Sequence, residues 1–225
     1  MNNSFYVFAF IVIILQSCAT PKITRSYLDE NGKTISKEKF YNEWRYNDNK
    51  GRWDTQNGNT IKAQLSLKPK IETLKGDYQL LSVILEELSH KRYPGNTTFL
   101  ISYYYKDDHC TLESNSNNNN WGKYRVRELK KHLAPQKRAL EKKYKNVETL
   151  VITQEGINFE SIKKLDYLYS DTNNRIFKNL FRQPNLCGSY AIIKPNGLIL
   201  IYNGESRLDI TARFLEPDIW NKHFK

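Results

Sequence analysis

The chain carries three cysteines, and their neighbours set what each thiol can do. Cys110 stands in the run Asp107-Asp108-His109-Cys110. The thiolate is the reactive form of cysteine, and flanking carboxylates push a thiol pKa up, which works against it. His109 offsets them only when it is protonated. Cys187 stands in Leu186-Cys187-Gly188. Three chemistries are open to Cys110 and Cys187: a structural disulfide, two unpaired thiols, or a reactive redox pair. A metal site would draw on Asp107, Asp108, His109, Cys110 and Glu113, whose spacing fits no strong zinc pattern. A solvated loop is the expectation there. The histidines at 90, 109, 132 and 223 are scattered. No Ser/His/Asp motif and no phosphate-binding glycine loop is visible. No metal and no cofactor is expected.

The remaining cysteine, Cys18, has a different context. Phe5 to Leu15 is an unbroken apolar run. It matches the core of a secretory signal, about 7–15 residues, and falls short of the roughly 20 that span a membrane. Leu15-Gln16-Ser17-Cys18 follows directly. These four residues resemble the lipobox of bacterial lipoproteins. The resemblance implies cleavage before Cys18 and acylation of that thiol, although Met1-Asn2-Asn3-Ser4 supplies no basic side chain. Two or three acyl chains hold a protein on a membrane essentially permanently, whereas one holds marginally. Residues 1–17 are then a signal peptide and 18–26 a lipidated cysteine with its spacer. Ala19, rather than an acidic residue, resembles lipoproteins sorted to an outer membrane. With Cys18 set aside, Cys110 and Cys187 form an even pair in an oxidising compartment, which makes a disulfide a candidate.

The net charge is +11. An exported protein rarely meets nucleic acid, so none is expected as a partner. Anionic lipid or an acidic envelope partner is the alternative to a merely solvated surface. The charge is concentrated. Lys123, Arg125, Arg127, Lys130, Lys131, Lys137, Arg138, Lys142, Lys143 and Lys145 face only Glu128 and Glu141 between Trp121 and Lys145. Lys130, Lys131, Lys142 and Lys143 are the candidate contacts to an anionic surface.

The elements that must position these residues follow from period and punctuation. Asn31-Gly32 signals a hairpin between short strands. Ser36 is an expected N-cap for a helix to about Trp44. Residues 47–59 read as polar, with a turn at Asn57-Gly58. Ile61, Ala63, Leu65 and Leu67 alternate as in a half-buried strand. Leu80, Leu81, Ile84, Leu85 and Leu88 predict a helix over about 77–90. Thr97 to Tyr105 predicts a strand buried on both faces, with Tyr103-Tyr104-Tyr105 as packing. A polar Asn-rich loop spans 114–120. A helix is expected over 121–145, bent at Pro135. A strand over 147–153 and a broken helix over 158–181 follow. Strands over 189–194 and 198–202, joined by Pro195-Asn196-Gly197, precede a terminal helix interrupted near Pro217. Residues 27–95 read as a small α+β extension and 96–225 as the main domain.

From residue 97 the order is strand, helix, strand, helix, strand, strand, helix. The helical crossover makes the first two strands parallel. With the run Leu186-Cys187-Gly188-Ser189-Tyr190-Ala191-Ile192-Ile193-Lys194-Pro195-Asn196-Gly197, this order resembles the thioredoxin-like superfamily. The resemblance implies an α/β fold with a mixed sheet flanked by helices. The sequence departs from the family in two places. Family enzymes set a Cys-x-x-Cys, or a lone peroxidatic cysteine, at the start of the helix after the first core strand, and here only Cys110 lies in that stretch, well short of the helix. The family's cis-proline before the third strand falls on Gly188. The same alignment sets Cys187 on the residue before that proline, facing the loop that holds Cys110. The resemblance therefore implies that Cys110 and Cys187 are neighbours in space. A non-catalytic binding or scaffold domain on a lipid anchor is the leading expectation. A divergent thiol-disulfide oxidoreductase using Cys110 and Cys187 is the alternative.

Overall fold

The computed structural model describes residues 23–110, 119–162 and 165–224. The signal segment, Cys18, Glu113 and most of the Asn-rich loop lie outside them. A small unit comes first. Its three-stranded sheet has the order β1-β3-β2, formed by β1 (Thr24–Leu28), β2 (Lys50–Asn57) and β3 (Thr60–Leu67). β3 runs parallel to β1 and antiparallel to β2. Ile61, Ala63 and Leu65 point inward as their alternation requires, while Leu67 is turned out to solvent. Helix α1 (Lys37–Tyr46) starts where Ser36 Oγ accepts the Lys39 N–H. It drives Phe40 into a cluster with Ala63 and Leu65.

Two local expectations change here. Lys50–Asn57 is a strand despite its polarity, because the Asn57-Gly58 turn folds it back along β3 over its whole length. Thr24–Ser26, read as spacer, joins Tyr27 and Leu28 in one strand because β3 offers it a free edge. The hairpin expected after it shrinks to one bridge, Leu28 to Thr34. Asp29 closes that turn by accepting the Asn31 and Lys33 N–H groups.

The larger unit is a six-stranded sheet of order β4-β11-β10-β5-β7-β9. Its strands are β4 (Ile71–Lys75), β5 (Thr98–Tyr104), β7 (Val147–Gln154), β9 (Leu168–Asp171), β10 (Ser189–Ile193) and β11 (Leu198–Asn203). A minor pair, β6 (Asn120–Trp121) with β8 (Asn158–Phe159), stands apart. β5 is parallel to β7, β10 is antiparallel to β5, and β11 is antiparallel to β10. Those four strands have the order of the thioredoxin core, and β4 and β9 extend it at either edge.

Alternation along β5 feeds both faces. Phe99, Ile101 and Tyr103 join Leu81, Ile84 and Leu85 of α2 (Tyr78–Ser89) on one side. Leu100 joins Val126, Leu133 and Leu140 of α3 (Lys123–Lys143) on the other. The latter face is completed by Leu208 on the single-turn α4 (Leu208–Thr211) and by Trp220 on α5 (Pro217–His223). α3 carries Pro135 inside it without ending there.

The larger unit begins earlier than the expected boundary at 95/96. β4 covers the β11 edge and α2 supplies one face of the core, so the strand at 71–75 and the helix at 78–89 are both part of the larger unit. The helix expected over 158–181 is also replaced. Leu168–Asp171 pairs with the β7 edge instead. Asp171 then accepts the Ile176 and Phe177 N–H groups, which starts a short π-helical turn at Phe177–Phe181. An open sheet edge competes with helical periodicity, and here the edge wins.

Candidate functional site

The carboxyl ends of β5 and β7, and the loop entering β10, form one end of the sheet. There the sulfurs of Cys110 and Cys187 stand at disulfide distance, 2.11 Å, with Cα atoms 4.8 Å apart. Cys110 is exposed and Cys187 half-buried. Asp108 holds the two segments together. One carboxylate oxygen accepts the Cys110 N–H at 2.9 Å and the Cys187 N–H at 3.2 Å; the other accepts the Gly188 N–H at 3.0 Å. Burial pushes Asp108 up to about 6, against the pull of those three N–H groups and helped by the nearby charge of Asp54.

The backbone around Cys187 is shaped for this clamp. Cys187 and Gly188 both have positive φ, 70° and 79°. That turns two successive N–H groups toward one carboxylate. A Cβ on Gly188 would lie 2.6 Å from the Tyr103 carbonyl oxygen, so only glycine fits. The family's cis-proline has no counterpart here: the described residues contain no cis peptide bond.

The small unit packs over the same end. The Arg52 N–H donates to Asn185 Oδ1 at 3.0 Å, and the Leu186 N–H donates to the Arg52 carbonyl at 2.8 Å. Trp53 meets the edge of Tyr105 at 6.0 Å between ring centroids. Lys68 reaches across to the Phe181 and Gln183 carbonyls, and burial lowers it to about 8. Arg52 itself is buried. Its guanidinium grips Asp54 through two 2.6 Å bonds and lies under the rings of Phe40, Tyr41 and Trp44. Beneath, Tyr105 donates to Ser189 Oγ at 2.8 Å, and Ser189 bonds Asn203 at 3.0 Å. A cleft of about 630 Å³ opens beside Cys110, with Trp53, Asp54, Lys106, Asp107, His109 and Gln154 on its walls. Burial lowers the His109 pKa, opposed by the attraction of Asp54 and Asp107.

Cys110 and Cys187 thus come together. Asp107, Asp108, His109 and Cys110 do not assemble with other ligands: among the described residues no three His, Cys, Asp or Glu side chains are placed to hold a metal. The basic helix divides. Lys130 and Lys131 share a cleft with Lys123, Arg127 and Arg138. Lys143 instead pairs with Glu216 at 3.0 Å. Lys142 lies one residue before it, outside that cleft. Among the described residues no helix is long and apolar enough to cross a membrane.

Sequence reasoning used Asp108 only as a charge near a thiol. Its clamp was partly readable, since Asp two residues before Cys110 can form an Asx turn on that N–H. Asn185, Arg52 and Asp54 carried no readable signal, because their roles depend on the small unit meeting the sheet end.

No family model matches the chain, and no curated protein matches it. Among solved structures, one described as MTB dsbF in its mixed oxidized and reduced forms aligns over 52% of this chain and 78% of that one. Its sequence identity is 13% and its TM-score 0.32.

Proposed function

We propose that the chain is a lipid-anchored envelope protein whose thioredoxin-like domain binds or scaffolds, with Cys110–Cys187 as a staple rather than a catalytic pair. The observation that carries this reading is the Asp108 clamp. Thiol-disulfide exchange needs a thiolate that is cheap to form, usually at a helix N-terminus or beside a cation. Cys110 stands well before α3, which starts at Lys123, and Cys187 precedes a strand. Both instead share a buried carboxylate through their own N–H groups. Reduction would create sulfur anions next to that charge, which disfavours them as leaving groups. The Leu15-to-Cys18 match supports the anchor.

The exposure of Cys110 favours the second reading, an oxidoreductase that exchanges through it. One measurement separates the two. The purified chain is assayed for reduction of a peptide disulfide with a dithiol donor, and its own disulfide is equilibrated against glutathione. The staple reading expects no turnover above the buffer rate and a bond that resists the glutathione pool. Turnover that disappears in Cys110→Ser and Cys187→Ser would establish the oxidoreductase instead.

A further inference from the structure

Helix α3 brings a row of cations together along one side. Lys123, Arg127, Lys130 and Lys131 recur at three- and four-residue intervals and Arg138 follows two turns after Lys131, which puts them on one flank of the helix. From first to last they span about 22 Å of its axis at 1.5 Å per residue. They border an open cleft of about 650 Å³ whose apolar lining comes from Ala134, Pro135 and Ile162.

Three further features make this surface attract anions. The first turn of α3 has no acidic residue, and its N-cap, Gly122, offers no side-chain acceptor. The positive end of a 21-residue helix therefore adds to the side-chain charge. Two of the cations meet acids that hold them loosely. Lys123 meets Glu160 at 3.6 Å and Lys131 meets Glu128 at 3.9 Å, all of them well exposed. Such pairs are readily exchanged for another anion. No ion pair among the described residues engages Arg127 or Arg138. Finally, Tyr124 is 79% exposed and lies three residues before Arg127, on the same flank. An aromatic ring with a polar tip, beside cations, suits the boundary between headgroup and acyl chain.

We propose that this cleft docks the phosphate-bearing headgroups of an anionic lipid surface, which rests on the reading that the chain is membrane-anchored. The magnitudes fit that setting. Each cation near an anionic surface multiplies binding about fivefold, so five give on the order of 10³-fold. That is weak for a protein arriving from solution. A tether raises the local concentration to the millimolar range, where weak sites fill. The cleft thus orients a domain that is already held, laying α3 along the membrane.

The test uses the full chain, expressed with its N-terminal segment and purified as the cell leaves it, on phosphatidylcholine vesicles with or without phosphatidylglycerol. Lysines are footprinted with an amine-reactive reagent and read by mass spectrometry. Labelling of Lys123, Lys130 and Lys131 should fall several-fold on the anionic vesicles and recover in high salt. Lys142 and Lys143 should change little. The combined variant Arg127→Gln, Lys130→Gln, Lys131→Gln, Arg138→Gln should lose protection at Lys123, whereas Lys142→Gln with Lys143→Gln should keep it. These side chains are on the surface, so the fold is expected to survive. A chain retained on both vesicle types with equal labelling overturns the cleft and leaves the anchor standing. A chain lost from phosphatidylcholine but held and protected on phosphatidylglycerol upholds the cleft and refutes the anchor. Protection by polyglutamate but not by anionic vesicles overturns the proposal in favour of an acidic protein partner.

Discussion

Asp108 is held by geometry and pressed by burial, and the two can be separated with pH. Its pKa is raised from the ordinary value of 3.8 to about 6. The folded state therefore binds that proton more tightly than the unfolded chain does. The stabilisation from the proton is present in full below the ordinary carboxylate range and is lost as pH rises through about 6. The difference is about 3 kcal/mol between those limits. Asp108→Asn keeps an acceptor oxygen and cannot ionise. Its stability relative to wild type should improve by up to about 3 kcal/mol between about pH 4 and about pH 7. Urea unfolding of both proteins across that range measures it. Parallel pH curves would show that Asp108 titrates normally. Gly188 admits a second test at this scale. Its φ of 79° and the 2.6 Å approach to the Tyr103 carbonyl leave no room for a methyl group. Gly188→Ala should cost at least about 2 kcal/mol, from left-handed strain and the clash together. An unchanged denaturation midpoint would contradict that packing.

Between elements, the clamp ties the segment after β5 to the entry of β10. The two cysteines are 77 positions apart. Chain-entropy arithmetic for such a loop gives about 4.5 kcal/mol. The Cys110→Ser, Cys187→Ser double variant should lose up to that amount in chemical denaturation. The loss should equal the effect of reductant on the wild type. A double variant as stable as the oxidised protein, or two free thiols by non-reducing peptide mapping, would remove the staple. The join between the small unit and the sheet end depends on Asn185. Asn185→Ala leaves the buried Arg52 N–H without its acceptor, which costs about 1–3 kcal/mol. Protease cleavage in residues 50–57 should rise with it, since that strand would lose its hold on the loop. Elements were the scale at which local signals served least evenly. Ser36 caps its helix as expected, while Asp77, read as the first residue of the next helix, is its cap. The segment 158–181 has helical spacing, yet Leu168–Asp171 within it is a strand because β7 had an edge to cover.

For the whole molecule, the proposed anchor and the proposed cleft on α3 would act together on one domain. The anchor has its own test. Cys18→Ser should leave an uncleaved precursor that takes up no palmitate analogue, while wild type is labelled. Equal labelling of both would end the lipoprotein reading, whatever the vesicle footprint shows.

Period, punctuation and charge were enough to read the α/β class, the parallel first pair of core strands, the terminal hairpin and the concentration of cations between 121 and 145. These are properties of contiguous residues. A strand's alternation, a helix's apolar stripe and a cap each need only neighbours a few positions away. The alignment with the thioredoxin order even placed Cys110 opposite Cys187. What the sequence could not hold was any arrangement whose partners meet only after folding. Asp108 becomes a clamp because Cys187 and Gly188 turn their N–H groups toward it. Ile71–Lys75 belongs to the large sheet because β11 had an unpaired edge. Five cations line one cleft, while Lys143 turns to Glu216 and Lys142 stays outside it, because α3 is fixed against the sheet by Val126, Leu133 and Leu140. Burial and backbone direction decide each of these, and both are set by contacts across the whole chain.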